Sequence, residues 1–159
     1  MKEKIREVPA FRLTIERDKL ARDEKCIEKI LEVLEEYRIP CECMALNIDS
    51  LSTAIRKTEQ EKLSSFIPRL EQERGKVHIS IEDNVMLLCV ESEQIKGLKI
   101  GMIISSLSMQ NIEIKMQRYL RCRNLLVVCV AADKVEQARR IITEVIPLTD
   151  PFEQPLPLP

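Results

Sequence analysis

The sequence has few of the residue types on which nucleic-acid recognition depends. Its 159 residues include no Trp, and aromatic side chains make up only 3% of the chain. Bases would therefore find almost no aromatic platform on which to stack. The 25 basic and 26 acidic residues leave a net charge of −1, whereas surfaces that bind phosphate backbones are strongly basic. We expect no nucleic-acid partner.

Long hydrophobic runs are also absent. The longest, such as VMLLCV, are much too short to span a bilayer, and the opening residues MKEKIREVPAFRLTIERDK are charged throughout. These features predict a cytoplasmic protein with no membrane partner. In that reducing compartment the six cysteines are expected to remain mostly as thiols.

Residue types that perform catalysis or bind metals are sparse. The one His, His78, has no recognisable Ser or Cys nucleophile motif near it, so an outward-facing strand position is a simpler interpretation than a general base. Cys41 and Cys43 face the same side of a predicted strand, but no CxxC accompanies them. Cys89 and Cys129 lie in apolar runs and suit buried packing positions. We predict no enzyme activity, no catalytic residue, no metal site and no cofactor.

The chain does contain a regular alternation of strand and helix periods. Residues 10–17 alternate as a half-buried strand. Asp23 can cap a helix that runs to about Arg38 and buries an apolar face of Ile27, Ile30, Leu31 and Leu34. A capping box at 58–61 opens a second helix that ends at Gly75. Pro68 lies within this helix and either kinks it or indicates that the helix proper begins only near Ser65. The other predicted elements are the strands CECMALNI, SLSTAIRK, KVHISI, 85–90, IEIKMQRY and NLLVVCV, and helices at about 97–110 and after Asp133.

The two halves of the chain repeat each other with a shift of 73 residues. No gap is needed from about Phe11 to Lys57, which indicates a duplicated unit. The shift carries the apolar positions Ile27, Ile30, Leu31, Leu34 and Ile39 onto Ile100, Ile103, Ile104, Leu107 and Ile112.

These patterns predict an α+β fold of two tandem ferredoxin-like βαββαβ units with antiparallel sheets. The first unit spans 8–82 and the second spans 83–150, followed by a Pro-rich tail at 151–159. The second unit lacks a fourth strand of its own and must borrow residues 3–8 or use EVIPL after the last helix. The tail is a loose end or an extended ligand for a partner groove.

In its arrangement of two tandem units, the sequence resembles the C-terminal regulatory region of aspartokinases, which is a pair of ACT domains. The resemblance covers roughly residues 11–145 and rests on the junctions YRIPCECMALN and MQNIEIKMQRY and on KVHISIEDNVMLLCVESE. It implies a regulatory part without the kinase domain. It also implies a function, which is to bind a small amino acid effector and to pass the signal to a separate biosynthetic enzyme.

The resemblance further implies which residues would bind the effector. Backbone N–H groups at a helix start take the effector's carboxylate, and an acidic side chain from the next strand takes its ammonium group. The residues at those positions are Lys25, Cys26 and Glu42 in the first half, and Gly97, Leu98 and Glu113 in the second.

The sequence leaves a second function open, in which the effector site has decayed and the ACT pair serves only for dimerisation or protein interaction. Dimerisation is expected under both hypotheses. VMLLCV and LLVVCV are continuous apolar runs, which are typical of strands covered on both faces. Helices cover one face, so a second copy is expected to cover the other.

Overall fold

The computed structural model describes residues 4–74 and 77–149, which form two compact units. The first unit consists of residues 8–86. The second unit consists of residues 4–7 together with 87–149. Two long strands, β1 (Lys4–Glu16) and β4 (His78–Glu91), each contribute one segment to each unit.

The first unit has the strand order β2-β3-β1-β4. After β1 come helix α1 (Glu24–Glu36), strands β2 (Cys43–Leu46) and β3 (Ser50–Arg56), and helix α2 (Leu63–Arg74). Strand β3 pairs antiparallel with both β1 and β2. The core of the first unit lies between the sheet and the two helices and contains, among others, Phe11, Leu13, Ile15, Ile30, Leu34, Ile55, Phe66 and Leu70.

The second unit repeats this order as β1-β4-β6-β5. It contains helix α3 (Gly97–Met109), strands β5 (Met116–Leu120) and β6 (Leu125–Ala131), and helix α4 (Val135–Val145). Strands β5 and β6 are antiparallel. The predicted α+β class with two ferredoxin-like units and antiparallel sheets is confirmed.

Helix α1 begins where the sequence predicts, because the Asp23 side chain accepts a hydrogen bond from the Cys26 N–H at 3.1 Å. Its buried face differs from the prediction. Cys26, Ile30, Val33 and Leu34 are buried, whereas Leu31 is 42% exposed. The face was predicted from Ile and Leu alone, and the small apolar Cys26 takes a core position that a strong hydrophobe was expected to fill.

Two boundary predictions differ from the structure. Residues 57–62 form a 3₁₀ helix rather than a capped α-helical start, so α2 begins at Leu63, close to the alternative start near Ser65. The predicted strands KVHISI and 85–90 are one strand, β4, because the acidic stretch between them contains no Gly or Pro to break the extended backbone. The predicted helix end at Gly75 lies outside the described residues.

The internal repeat holds for the helices and fails in the following hairpin. Helices α1 and α3 start and end 73 residues apart, and Arg38 and Asn111 after them both have positive φ, at 52° and 58°. In the hairpins, however, Cys43 pairs with Ala54 while Met116 pairs with Cys129. The β5–β6 hairpin therefore has two extra residues, and the prediction of an ungapped repeat to Lys57 is wrong.

The continuous apolar strands do not require a second copy to cover them. Every side chain from Leu125 to Val130 is buried within the single chain, as are those from Leu87 to Val90. The sequence pattern was interpreted correctly as a strand covered on both faces, but the chain itself supplies the cover. Residues 151–159, predicted to be a Pro-rich tail, lie outside the described residues. No helix within 4–74 and 77–149 is both long and apolar enough to cross a membrane.

Candidate functional site

The N-terminus of α3 opens onto a cavity of about 710 Å³. Gly97 is the first residue of α3, and the backbone of Lys96 before it is extended. No side chain in the described part of the chain caps the helix there. The first intrahelical bond runs from the Ile100 N–H to the Lys96 carbonyl. The N–H groups of the first turn therefore point outward with the positive end of the helix dipole. The lining residues are Glu93, Gln94, Lys96–Lys99 and Pro147–Thr149.

Lys99 joins the two walls of this cavity. Its side chain is only 7% exposed, and its Nζ donates to the carbonyl oxygens of Val145, at 3.4 Å, and Leu148. A buried ammonium is stable only with such acceptors, and carbonyls at the end of α4 carry the negative end of that helix's dipole. The bonds hold the segment after α4 against the first turn of α3. In the loop before α3, the Ile95 carbonyl accepts a hydrogen bond from the hydroxyl of Tyr119 in β5 at 3.2 Å.

The matching helix start in the first unit is closed by the chain itself. Asp23 occupies the position of Lys96, caps α1 through the Cys26 N–H, and pairs with Arg17. This hydrogen bond from Arg17 to Asp23 raises the pKa of the Arg17 guanidinium. Of the predicted site residues here, Lys25 is exposed and Cys26 is 1% exposed.

The structure does not bring Glu42 to this helix start. Glu42 accepts from Arg56 Nε at 2.6 Å, at the end of β3. The α1 N-terminus lies beside the opposite end of that strand, where the Ala21 N–H donates to the Ile48 carbonyl. Six strand residues separate these ends by roughly 20 Å. Glu42 is therefore part of an internal ion pair, away from Cys26.

In the second unit the structure brings Gly97 and Leu98 together at the cavity but places Glu113 elsewhere. Glu113 follows the C-terminus of α3, about 20 Å from its start, and its side chain is 78% exposed beside Lys115 at 3.7 Å. The shift of 73 also pairs Lys25 and Cys26 with Leu98 and Lys99, and Glu42 with Lys115. Gly97 and Glu113 are thus not the repeat equivalents of the residues chosen in the first half.

Sequence reasoning missed Lys96, Lys99 and the segment Pro147–Thr149. Lys99 carried a usable signal, because it is the only charged residue in α3 and falls on the helix's buried side. The segment after α4 carried no such signal in the sequence, because its position depends on the packing of α3 against α4.

A second cavity, of about 600 Å³, lies in the first unit beside α1 and the β2 edge. It is lined by Leu31, Cys41 and Met44, among others, and burial raises the pKa of the Cys41 thiol. Within the described residues, no three His, Cys, Asp or Glu side chains are grouped to hold a metal ion.

Comparison with known proteins shows which solved structures share this fold. No protein-family model and no curated protein matches the sequence. Among solved structures, the aspartate kinase of Clostridium acetobutylicum matches with a TM-score of 0.76 and 23% identity over 89% of this chain. The regulatory subunit of aspartate kinase from Thermus thermophilus matches with a TM-score of 0.75 and 10% identity, covering 91% of this chain and 97% of that one.

The chain has the fold of the aspartate kinase regulatory region. A putative C-terminal regulatory domain of aspartate kinase from Porphyromonas gingivalis matches in the same way, with a TM-score of 0.68, 15% identity and coverage of 92% and 99%. The chain corresponds to 34% of the Clostridium acetobutylicum kinase chain, so the comparison concerns the regulatory fold alone.

Proposed function

We propose that the chain is a non-catalytic, cytoplasmic regulatory module that binds a small amino acid effector in the second unit. The observation that carries this proposal is the uncapped N-terminus of α3 at the wall of a cavity of about 710 Å³. The aspartate kinase regulatory fold supports a regulatory role.

The chemistry of the cavity suits a zwitterion. Outward N–H groups of Gly97 and Leu98 and the ammonium of Lys96 attract a carboxylate. The Glu93 carboxylate on the same rim is available to an ammonium group. The exposed Leu98 and Leu148, each 54% exposed, offer apolar contact to the effector's side chain.

The first unit is a poorer site for the same ligand. At α1 the Asp23 carboxylate already takes the cap position, and Arg17 already pairs with it. Glu42 is engaged by Arg56. We therefore assign the effector to Gly97, Leu98 and their neighbours, with no binding role for Lys25, Cys26, Glu42 or Glu113.

The module acts in an assembly, with a second copy of the chain or with a separate biosynthetic enzyme. The Thermus thermophilus neighbour is a regulatory subunit, and another neighbour is a structure of aspartokinase alpha and beta subunits. Both neighbours are named as subunits, and this supports an associating role here.

The alternative is an interaction module whose effector site has been lost. The closed start of α1 and the Glu42–Arg56 pair favour it, because both fill positions that a ligand would need. The open start of α3 favours the effector hypothesis.

Thermal-shift screening against the twenty amino acids, one at a time, tests the proposal. A ligand that binds only the folded chain raises the midpoint, by an amount that grows with concentration. We expect one or a few amino acids to do so. A midpoint unchanged by all twenty at about 1,000 times a micromolar Kd would reject the effector hypothesis, because such a ligand contributes about 4 kcal/mol.

A further inference from the structure

Lys99 is the one charged side chain that is buried among the residues described by the structure. It is 7% exposed, and its Nζ donates to the carbonyl oxygens of Val145 and Leu148. Both acceptors are neutral, and no carboxylate of the described residues forms an ion pair with this ammonium. Buried cations in proteins are normally paired with an anion, because burial removes them from water. The position of Lys99 therefore suits a negative charge that the described residues do not supply.

The internal repeat shows that the fold does not require a cation at this position. The residue equivalent to Lys99 in helix α1 is Cys26, a small apolar side chain that is 1% exposed. The two helices have the same length, so the position has the same place in each unit. A buried ammonium costs free energy relative to such a side chain. Packing alone therefore does not explain Lys99.

Holding the segment after α4 does not account for the charge of Lys99 either. Two carbonyl oxygens can be bound by any side chain with two N–H donors, including a neutral amide such as that of Gln. An ammonium has three donors, and the carbonyls of Val145 and Leu148 take two of them. Lys99 also lines the cavity at the start of α3. Its third donor and its charge are therefore available to a ligand in that cavity.

The charges that line this cavity favour a ligand with a net negative charge. Lys96 and Lys99 face a single carboxylate, that of Glu93, and the N-terminus of α3 adds about half a positive charge. Glu93 and Lys96 are exposed, so water and salt screen them, whereas Lys99 is buried and is screened much less. A neutral zwitterion leaves this positive balance as it is. An amino acid with a second carboxylate neutralises it.

We propose that the effector is an acidic amino acid whose side-chain carboxylate binds the ammonium of Lys99. This inference rests on the proposed function and names the chemical class of its ligand. The α-carboxylate binds the first-turn N–H groups of Gly97 and Leu98, and the α-ammonium group binds Glu93. The methylene groups between the two ends contact the exposed apolar side chains of Leu98 and Leu148.

Isothermal titration of the full chain with glutamate, glutamine, aspartate and asparagine tests this ligand class. Each acid has nearly the shape of its amide and differs from it by one negative charge. We expect the acid of at least one pair to bind at least about tenfold more tightly than its amide, because a charge-assisted hydrogen bond is about twice as strong as a neutral one. The preference should persist at about 0.5 M NaCl, since salt screens a buried pair only weakly.

Three variants that each remove one positive charge assign the preference to a residue. Lys99→Met keeps a long unbranched side chain, and it should reduce the preference for the acid over the amide to about onefold. Lys96→Met should weaken the acid and the amide alike and keep the preference, because Lys96 attracts the α-carboxylate that both ligands share. Lys134→Met, at the exposed start of α4, is the matched control and should change neither affinity.

The outcomes separate this inference from the proposed function. Amides that bind as tightly as their acids, or a preference that Lys99→Met retains, overturn the inference and leave an amino acid effector in place. Binding of neutral amino acids alone has the same meaning. No binding by any amino acid rejects the proposed function itself. If Lys99→Met does not fold, the wild-type chain still decides, because a preference that about 0.5 M NaCl abolishes belongs to the exposed Lys96 and overturns the inference.

Discussion

Single residues decide how the two halves of this duplicated chain differ. Asp23 and Lys96 hold the same N-cap position of equivalent helices, one as a carboxylate cap and one as an extended residue without a cap bond from any described side chain. Sequence reasoning identified Asp23 as a cap but chose the candidate ligand residues next to these positions. The N-cap itself decides whether the first-turn N–H groups are satisfied or open to a ligand.

Giving α3 the N-cap residue of α1 should close its first-turn N–H groups to a ligand. Lys96→Asp should stabilise the folded chain by about 0.5–1 kcal/mol and abolish any amino acid-dependent rise in melting temperature, because its carboxylate would occupy the ligand's place. Asp23→Ala should cost about 1 kcal/mol and leave the ligand response intact. Urea unfolding and thermal shift measure the two effects. A ligand response that survives Lys96→Asp would place the effector away from α3.

Cysteine reactivity should follow exposure and thiol pKa. Cys122 is exposed, whereas Cys41 is half-buried and its pKa is raised, mainly by burial. Only the thiolate reacts with iodoacetamide, so at neutral pH Cys122 should be alkylated first and Cys41 much more slowly. Raising the pH should increase the Cys41 rate through a range above that of an ordinary thiol. Peptide mass spectrometry of the labelled chain reads both rates, and equal rates at neutral pH would contradict the prediction.

At the scale of helices and strands, the sequence predicted correctly the features that residues close together in the chain determine. Strand alternation from Phe11 to Ile15 and the start of α1 are both confirmed. The joining of two predicted strands into β4 was not predicted, and the late start of α2 was predicted only as an alternative to the capping box at 58–61. Both depend on tertiary pairing and packing, which override the local turn and cap signals.

Helix α2 gives an element-scale prediction. Pro68 is the exposed sixth residue of this helix, where it lacks the N–H that would bond to the Ser64 carbonyl. Pro68→Ala should therefore stabilise the chain by about 1–3 kcal/mol, less a few tenths for the freer unfolded state. Ser65→Ala, at an exposed position of the same helix, should change stability by less than about 0.5 kcal/mol. Loss of stability in Pro68→Ala would show that the ring supports the helix start.

For the whole molecule, the chain path divides each long strand between two units. Residues 4–7 of β1 belong to the second unit, whereas the rest of that strand belongs to the first. Glu7 accordingly pairs with Arg139 of α4 at 3.0 Å. The sequence left the source of the fourth strand open, because two segments had suitable composition and only three-dimensional packing distinguishes them.

Deleting residues 1–7 should therefore damage the second unit selectively. It removes the strand beside Leu87–Val90, so an apolar strand edge becomes open to solvent and to other chains. Hydrogen exchange read by mass spectrometry should show faster exchange in β6 and α4, with β3 and α1 little changed. Arg139→Ala, which breaks only the surface ion pair, is the control and should cost at most about 1 kcal/mol. Equal loss of protection in β3 and β6 would mean that the two units unfold together, and the N-terminal strand would then stabilise the whole chain.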